Sequence, residues 1–200
     1  MNMGEKNFIG WLVNTKQYRC FAAIERQYLE DSFNFYGLRQ KIPRFKECVA
    51  ILRGADFNYE DQDLMHQTIR LYGLVHARYI GSCDGMHNMH GKYLAGHFQR
   101  CPRVLCNGCY CLPYGCSEVE GEGTLKMYCP NCGDVYDPEY PEWNNLDGAY
   151  WGPSYVHIIT QQYEDMVPEA PPRQYVPRVF GFRLSQESNT RETQKLPYTL

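Results

Sequence analysis

Seven of the ten cysteines fall between Cys101 and Cys132, and their spacing is that of a metal centre. Cys101-Pro102-Arg103-Val104-Leu105-Cys106 places four residues between two thiols, Cys129-Pro130-Asn131-Cys132 places two, and 22 residues separate the pairs. Zinc takes four soft ligands at the corners of a tetrahedron, and a close pair on a tight turn aims two sulfurs at one point. The stretch between the pairs suits a small antiparallel sheet, so the whole reads as a zinc ribbon. Cys106-Asn107-Gly108-Cys109 is another two-spaced pair. On spacing alone the first knuckle is therefore either Cys101/Cys106 or Cys106/Cys109. The surplus thiols, with Cys111 and Cys116 among them, read as small residues without a role. A metal held by four protein ligands keeps no open position for chemistry, so it would serve as a staple of the fold.

No other constellation reads as catalytic. Met86-His87-Asn88-Met89-His90 puts two imidazoles three apart on one helical face, but without a carboxylate at matching spacing this reads as a solvated face. His76 lies inside an apolar stripe and reads as a core histidine. There is no phosphate-cradling glycine loop, nucleophile motif or metalloprotease motif. The expectation is that the chain is not an enzyme.

Composition narrows the rest. The 200 residues are 44% apolar and 22% charged, with a mean hydropathy of -0.55. No apolar run approaches the ~18–20 residues that a bilayer span requires, so no membrane contact is expected. Glu5, Lys6, Asn7, Asn14 and Thr15 break up the first fifteen residues, which do not read as a signal peptide. The cysteines are thus expected in a reducing compartment, where metal binding outweighs disulfide formation. Residues 97–155 hold three basic and eight acidic side chains, net -5. A ribbon of that charge would repel a duplex, so direct nucleic-acid binding is not expected.

The elements that must position these groups follow from periodicity. Residues 1–96 read as a helical domain. Phe21, Ile24, Tyr28 and Leu29 recur at helical spacing, with Gly37 as a stop. Pro43 suits a first turn before Phe45, Val49 and Leu52. The clearest stripe is Leu64, Thr68, Leu71, Tyr72, Val75 and Tyr79, opening after Asp61 and Asp63. A shorter helix is expected from Met86 to Leu94. Residues 97–155 form the ribbon, and residues 156–200 a tail. There Pro168, Pro171 and Pro172 exclude a helix, Tyr175 to Leu184 reads as extended, and the polar stretch beyond Ser185 reads as disordered. At period two, Phe180, Phe182 and Leu184 would share one strand face. The fold class is α+β: a helical domain, a small β ribbon and an extended tail.

The longer motifs resemble one family. They are Leu71-Tyr72-Gly73-Leu74-Val75-His76-Ala77-Arg78-Tyr79-Ile80, Cys101-Pro102-Arg103-Val104, Leu112-Pro113-Tyr114-Gly115 and Tyr128-Cys129-Pro130-Asn131-Cys132. Asp147-Gly148-Ala149-Tyr150-Trp151-Gly152-Pro153 and Val176-Pro177-Arg178-Val179-Phe180-Gly181-Phe182 continue them in unbroken order. Together they resemble the regulatory beta subunit of casein kinase II over about residues 8–185. The resemblance implies a non-catalytic regulator with one structural zinc per protomer, held by Cys101, Cys106, Cys129 and Cys132. It implies a ribbon homodimer in which Pro102, Val104 and Val135 face the partner. It further implies a C-terminal hairpin that docks Phe180, Gly181 and Phe182 on the catalytic subunit of casein kinase II. The dimer would bridge two catalytic subunits and present a docking surface to kinase substrates, in the cytoplasm and nucleus.

Departures from the family mark a divergent paralogue. The family's strongly acidic loop is reduced here to Asp56-Phe57-Asn58-Tyr59-Glu60-Asp61-Gln62-Asp63, four acids diluted by aromatics, and the phosphorylated N-terminal serines are missing from Met1-Asn2-Met3-Gly4.

Overall fold

The computed structural model describes residues 7–168 and 175–184. Met1 to Gly4, Pro171, Pro172 and the stretch beyond Ser185 lie outside them.

The scaffold is α4, Gln62–Tyr79. Asp61 caps it, accepting from the Leu64 amide at 3.0 Å, so the acids at its start do the work that their position implies. Leu64, Thr68, Leu71, Tyr72, Val75, His76 and Tyr79 are all buried. Around it lie α1 (Phe8–Asn14), α2 (Arg26–Glu30), α3 (Phe45–Leu52) and α5 (Cys83–Leu94). α5 begins at Cys83, after the Ser82 cap and three residues before the Met86 at which the periodicity becomes visible.

The stretch from Phe21 to Leu29 differs from the expected helix. Only Arg26–Glu30 is helical, and residues 21–25 are not. The apolar side chains are core, as their spacing implies, but side chains of α4 satisfy the backbone. The Ala22 amide donates to His76 Nε2 at 3.0 Å, and the Ile24 amide to the Tyr72 hydroxyl at 3.2 Å. Tyr72 in turn donates to the Ala22 carbonyl. A backbone whose polar groups are already paired to a neighbouring helix has no need of its own helical ladder.

α1, absent from the expected helices, is capped by the Asn7 side chain on the Ile9 amide and brings aromatic rings together. Phe8 meets Phe57 edge-on at 5.4 Å, and Trp11 meets Tyr59 at 5.6 Å. The aromatics that dilute the acidic loop therefore pin it to α1. Its Asp61 is also engaged, ion-paired to Arg44 at 2.6 Å.

The ribbon is a three-stranded antiparallel sheet in the order β1 (Leu112–Tyr114), β2 (Lys126–Tyr128), β3 (Val135–Tyr136). Leu112 pairs with Tyr128, and Tyr128 with Val135. Behind it, α6 (Tyr155–Gln162) buries Tyr155, Val156 and Ile159. Tyr155 donates to the Pro113 carbonyl of β1. Residues 156–162, expected as part of a tail, are thus helical and packed on the sheet. One continuous apolar cluster runs from Phe8 to Met166.

Candidate functional site

Two turns build the cysteine cluster. After Cys101 the chain passes through Val104–Cys106 as a single 3-10 turn, and Asn107 and Gly108 then take left-handed φ of 51° and 73° to reverse it. On the other side Cys129 follows β2 directly, and Gly133 at φ 73° closes the second turn with its amide on the Cys129 carbonyl at 2.9 Å. Each turn exposes two sulfurs inward. The Sγ atoms of Cys101, Cys106, Cys129 and Cys132 all lie within 4.8 Å of one another. Cys101 and Cys132, one from each turn, are 3.9 Å apart. Metal–thiolate bonds of about 2.3 Å in a tetrahedron put sulfurs about 3.8 Å apart. The cluster therefore fits a four-coordinate metal ion, and three of its four residues are buried.

The surplus thiols divide. Cys116 is exposed, but Cys111 is fully buried and Cys109 half-buried. Hydrogen bonding from the Cys109 and Cys111 thiols favours the Cys129 thiolate, which lies far below the usual thiol range. The same contact, with burial, pushes Cys109 and Cys111 up. Cys109 also meets the Tyr93 hydroxyl at 3.6 Å. These two thiols form a supporting layer around Cys129. Sequence spacing could not reveal this, because the contact depends on how β2 delivers Cys129.

The expected dimer-facing residues lie on the outer side of the turns. Pro102 is exposed, Val104 is 86% exposed and Val135 is 43% exposed. Val104 opens the first turn and Val135 opens β3, so both present apolar surface beside the cysteine cluster.

The tail is a hairpin, as the resemblance implies, and not the single strand that period-two spacing suggests. β4 (Arg178–Val179) pairs with β5 (Phe182–Arg183), and Val179 faces Phe182. The two-residue turn is Phe180-Gly181, with φ of 48° and 86°. Positive φ at both central residues is the geometry whose twist matches a hairpin. Phe180 therefore sits at the tip and does not share a strand face with Phe182 and Leu184. Phe180 is 96% and Phe182 78% exposed. A bulky aromatic in the left-handed region is an outlier that a solvent-facing turn has no reason to select.

The histidines resolve as follows. His76 is fully buried, between the Ala22 amide and the Tyr150 carbonyl. His90 meets both carboxylate oxygens of Asp165, at 3.0 and 2.9 Å, and stacks on Tyr163 at 4.0 Å. A carboxylate at matching spacing, lacking on its own helix, thus comes from 75 residues downstream, and the contact clasps the chain after α6 onto α5.

Comparison with known proteins is consistent with this architecture. The family model described as casein kinase II regulatory subunit matches residues 7–183. The chain is 34% identical to casein kinase II subunit beta of Dictyostelium discoideum, over 97% of this chain and 74% of that protein. It is 35% identical to the Schizosaccharomyces pombe subunit beta, over 94% and 83%. It is also 34% identical to the suppressor-of-stellate-like protein of Drosophila melanogaster, over 91% and 80%. With the match running from the first turn of α1 to the C-terminal hairpin, the chain belongs to the casein kinase II regulatory subunit family.

Proposed function

We propose that this regulatory, non-catalytic subunit dimerises through its ribbon, binds two catalytic subunits of casein kinase II and influences their choice of substrate. The observation that carries the reading is the hairpin, which holds Phe180 and Phe182 in solvent on a turn of defined geometry. Large rings exposed on a rigid protrusion cost solubility and gain nothing within the chain, whereas aromatic anchors dominate interfaces. The exposed Pro102, Val104 and Val135 supply a second, separate apolar surface, which suits a self-complementary two-fold contact.

Zinc is the ion that the four-thiolate donor set favours. It would be held by Cys101, Cys106, Cys129 and Cys132 and would fix the two turns that carry Val104 and Val135. The helical part (residues 1–96) and the ribbon (97–155) would then serve as regulatory surface and dimer contact, and the segment beyond (156–200) would carry the kinase arm in its hairpin. Cysteines spaced for a metal ion suit a reducing setting, read here as cytoplasmic and nuclear. Sedimentation of the chain mixed with the catalytic subunit tests the assembly. A complex of two regulatory and two catalytic chains is expected, and a regulatory chain that stays alone in the presence of the kinase would refute it.

A further inference from the structure

Between the turn that follows α1 and the C-terminal half of α5 lies an open cleft of ≈ 640 Å³, lined by Arg19, Lys92, His97 and Tyr140 among others. Among the described residues no aspartate or glutamate lines it. Arg44, Arg70, Arg103 and Lys126 are each ion-paired elsewhere in the fold, but Arg19 and Lys92 have no such partner among the described residues. Arg19 is held by ring faces instead. Its guanidinium lies 4.2 Å from the Tyr140 ring centroid and 5.5 Å from that of Trp143. Trp143 anchors the same turn by donating Nε1–H to the Lys16 carbonyl at 3.2 Å. The Nε of Arg19 is buried and has no hydrogen-bond partner among the described residues.

Two cationic side chains and an imidazole therefore converge, with no counter-charge among the described residues. Burial first, and then the charge of Arg19, hold the Lys92 ammonium below its usual range. Burial, Lys92 and Arg19 in turn hold His97 low. The neighbouring Cys20 thiol favours the ammonium, but full burial pushes its own ionisation far up and the shift of Lys92 stays downward. A fold that gathers partly desolvated cations pays Coulomb repulsion and unmet hydrogen bonding, and both are relieved by an anion in the cleft. A carboxylate brings one charge. A phosphomonoester brings close to two, with oxygens that can accept from a planar guanidinium and an ammonium together.

We infer that this cleft is a binding site for a phosphomonoester, with Arg19 and Lys92 as its principal contacts and His97 at its rim. The site lies on the helical part of the chain and does not depend on the hairpin or the ribbon surface. The cleft is much larger than one phosphate group, so the phosphate is carried on a phosphoserine- or phosphothreonine-bearing segment unless the free anion proves sufficient.

Titration calorimetry on the full chain tests this with three probes: inorganic phosphate, a phosphoserine peptide and the same peptide unphosphorylated. The phosphopeptide should bind saturably, and its unphosphorylated twin at least tenfold more weakly. Lys92→Met keeps the aliphatic stem, and Arg19→Gln keeps a hydrogen-bonding side chain. Each should weaken phosphate-dependent binding at least tenfold while metal content stays unchanged. If Arg19→Gln melts early, Lys92→Met alone carries the test. Inorganic phosphate binding as tightly as the peptide, and lost in Lys92→Met, supports the site and assigns it to free anions. Absence of saturable binding by any phosphate probe, or binding that Lys92→Met leaves intact, overturns the inference.

Discussion

His76 Nδ1 lies 2.8 Å from the carbonyl oxygen of Tyr150, 74 residues further along the chain. The carbonyl can only accept, and the Ala22 amide on Nε2 can only donate, so the ring is neutral with its proton on Nδ1. One imidazole thus joins the extended stretch at Ala22, the central helix α4 and the turn that follows the ribbon. Tyr150 returns the contact by packing its ring on Gly73 one turn earlier, where any Cβ would collide with it.

This relationship has a pH signature. Complete burial holds the His76 pKa at about 3, against an ordinary value near 6.5. The unfolded chain takes up a proton as pH falls below ~6.5, and the folded chain does not, so the stability contributed is full above that value and is lost as pH falls toward about 3. The expected slope from this group is about 1.4 kcal/mol per pH unit. His76→Gln should lower stability at pH 7 by about 1–3 kcal/mol and flatten the slope between pH 6.5 and 5. Urea unfolding across that range measures both, and an unchanged slope in the variant would show that another group controls the acid limb.

The metal prediction turns on Cys129, which touches both the four-thiol cluster and its supporting layer. Purified chain should carry about one zinc. Cys129→Ser and Cys101→Ser should each lose it and unfold the ribbon, since structural zinc contributes ~10–16 kcal/mol in zinc-finger peptides. Cys109→Ser should retain the ion with a lowered melting temperature. Zinc retained in Cys101→Ser and lost in Cys109→Ser would instead make Cys106/Cys109 the first knuckle.

Legibility in the sequence followed the reach of each signal. α4 could be read because cap, acids and apolar stripe lie within one helix, and the paired cysteines because each knuckle is a local turn. What could not be read depends on distant partners. The residues around Ala22 leave the helix because His76 and Tyr72 take their backbone bonds. α6 is short and needs the face of β1 to bury Tyr155 and Ile159. Phe180 looks like a strand residue until Gly181 beside it is seen to close a two-residue turn. Cys109 fits a knuckle spacing and Cys111 fits none, and the part both play beside Cys129 emerges only when β2 delivers that thiol to them.

The dimer prediction concerns Val104. Its side chain is exposed and supports no core of its own, so Val104→Glu should leave metal content and monomer melting nearly unchanged. It should nevertheless shift the sedimenting mass from dimer to monomer, because two-fold symmetry places the new charge near its own copy. A wild-type chain that is monomeric at micromolar concentration would remove the ribbon from the assembly.

The hairpin prediction separates the ring of Phe180 from the turn it occupies. Asparagine tolerates the left-handed conformation better than phenylalanine does, so Phe180→Asn should keep the turn with Gly181 and relieve backbone strain. Phe182→Ala removes the second ring at a strand position whose partner, Val179, remains. Both rings are exposed, so neither variant should alter zinc content, dimer mass or melting temperature. If the rings anchor the catalytic subunit, each variant should weaken binding by calorimetry at least tenfold, because truncating a buried aromatic anchor commonly costs ~2 kcal/mol or more. Phe180→Gly would confound the result by loosening the turn, and for that reason Asn is the sharper probe. Rings that instead fold back on this chain in solution would show themselves as a drop in melting temperature. Kinase affinity unchanged in both well-folded variants would place the docking surface elsewhere on the molecule.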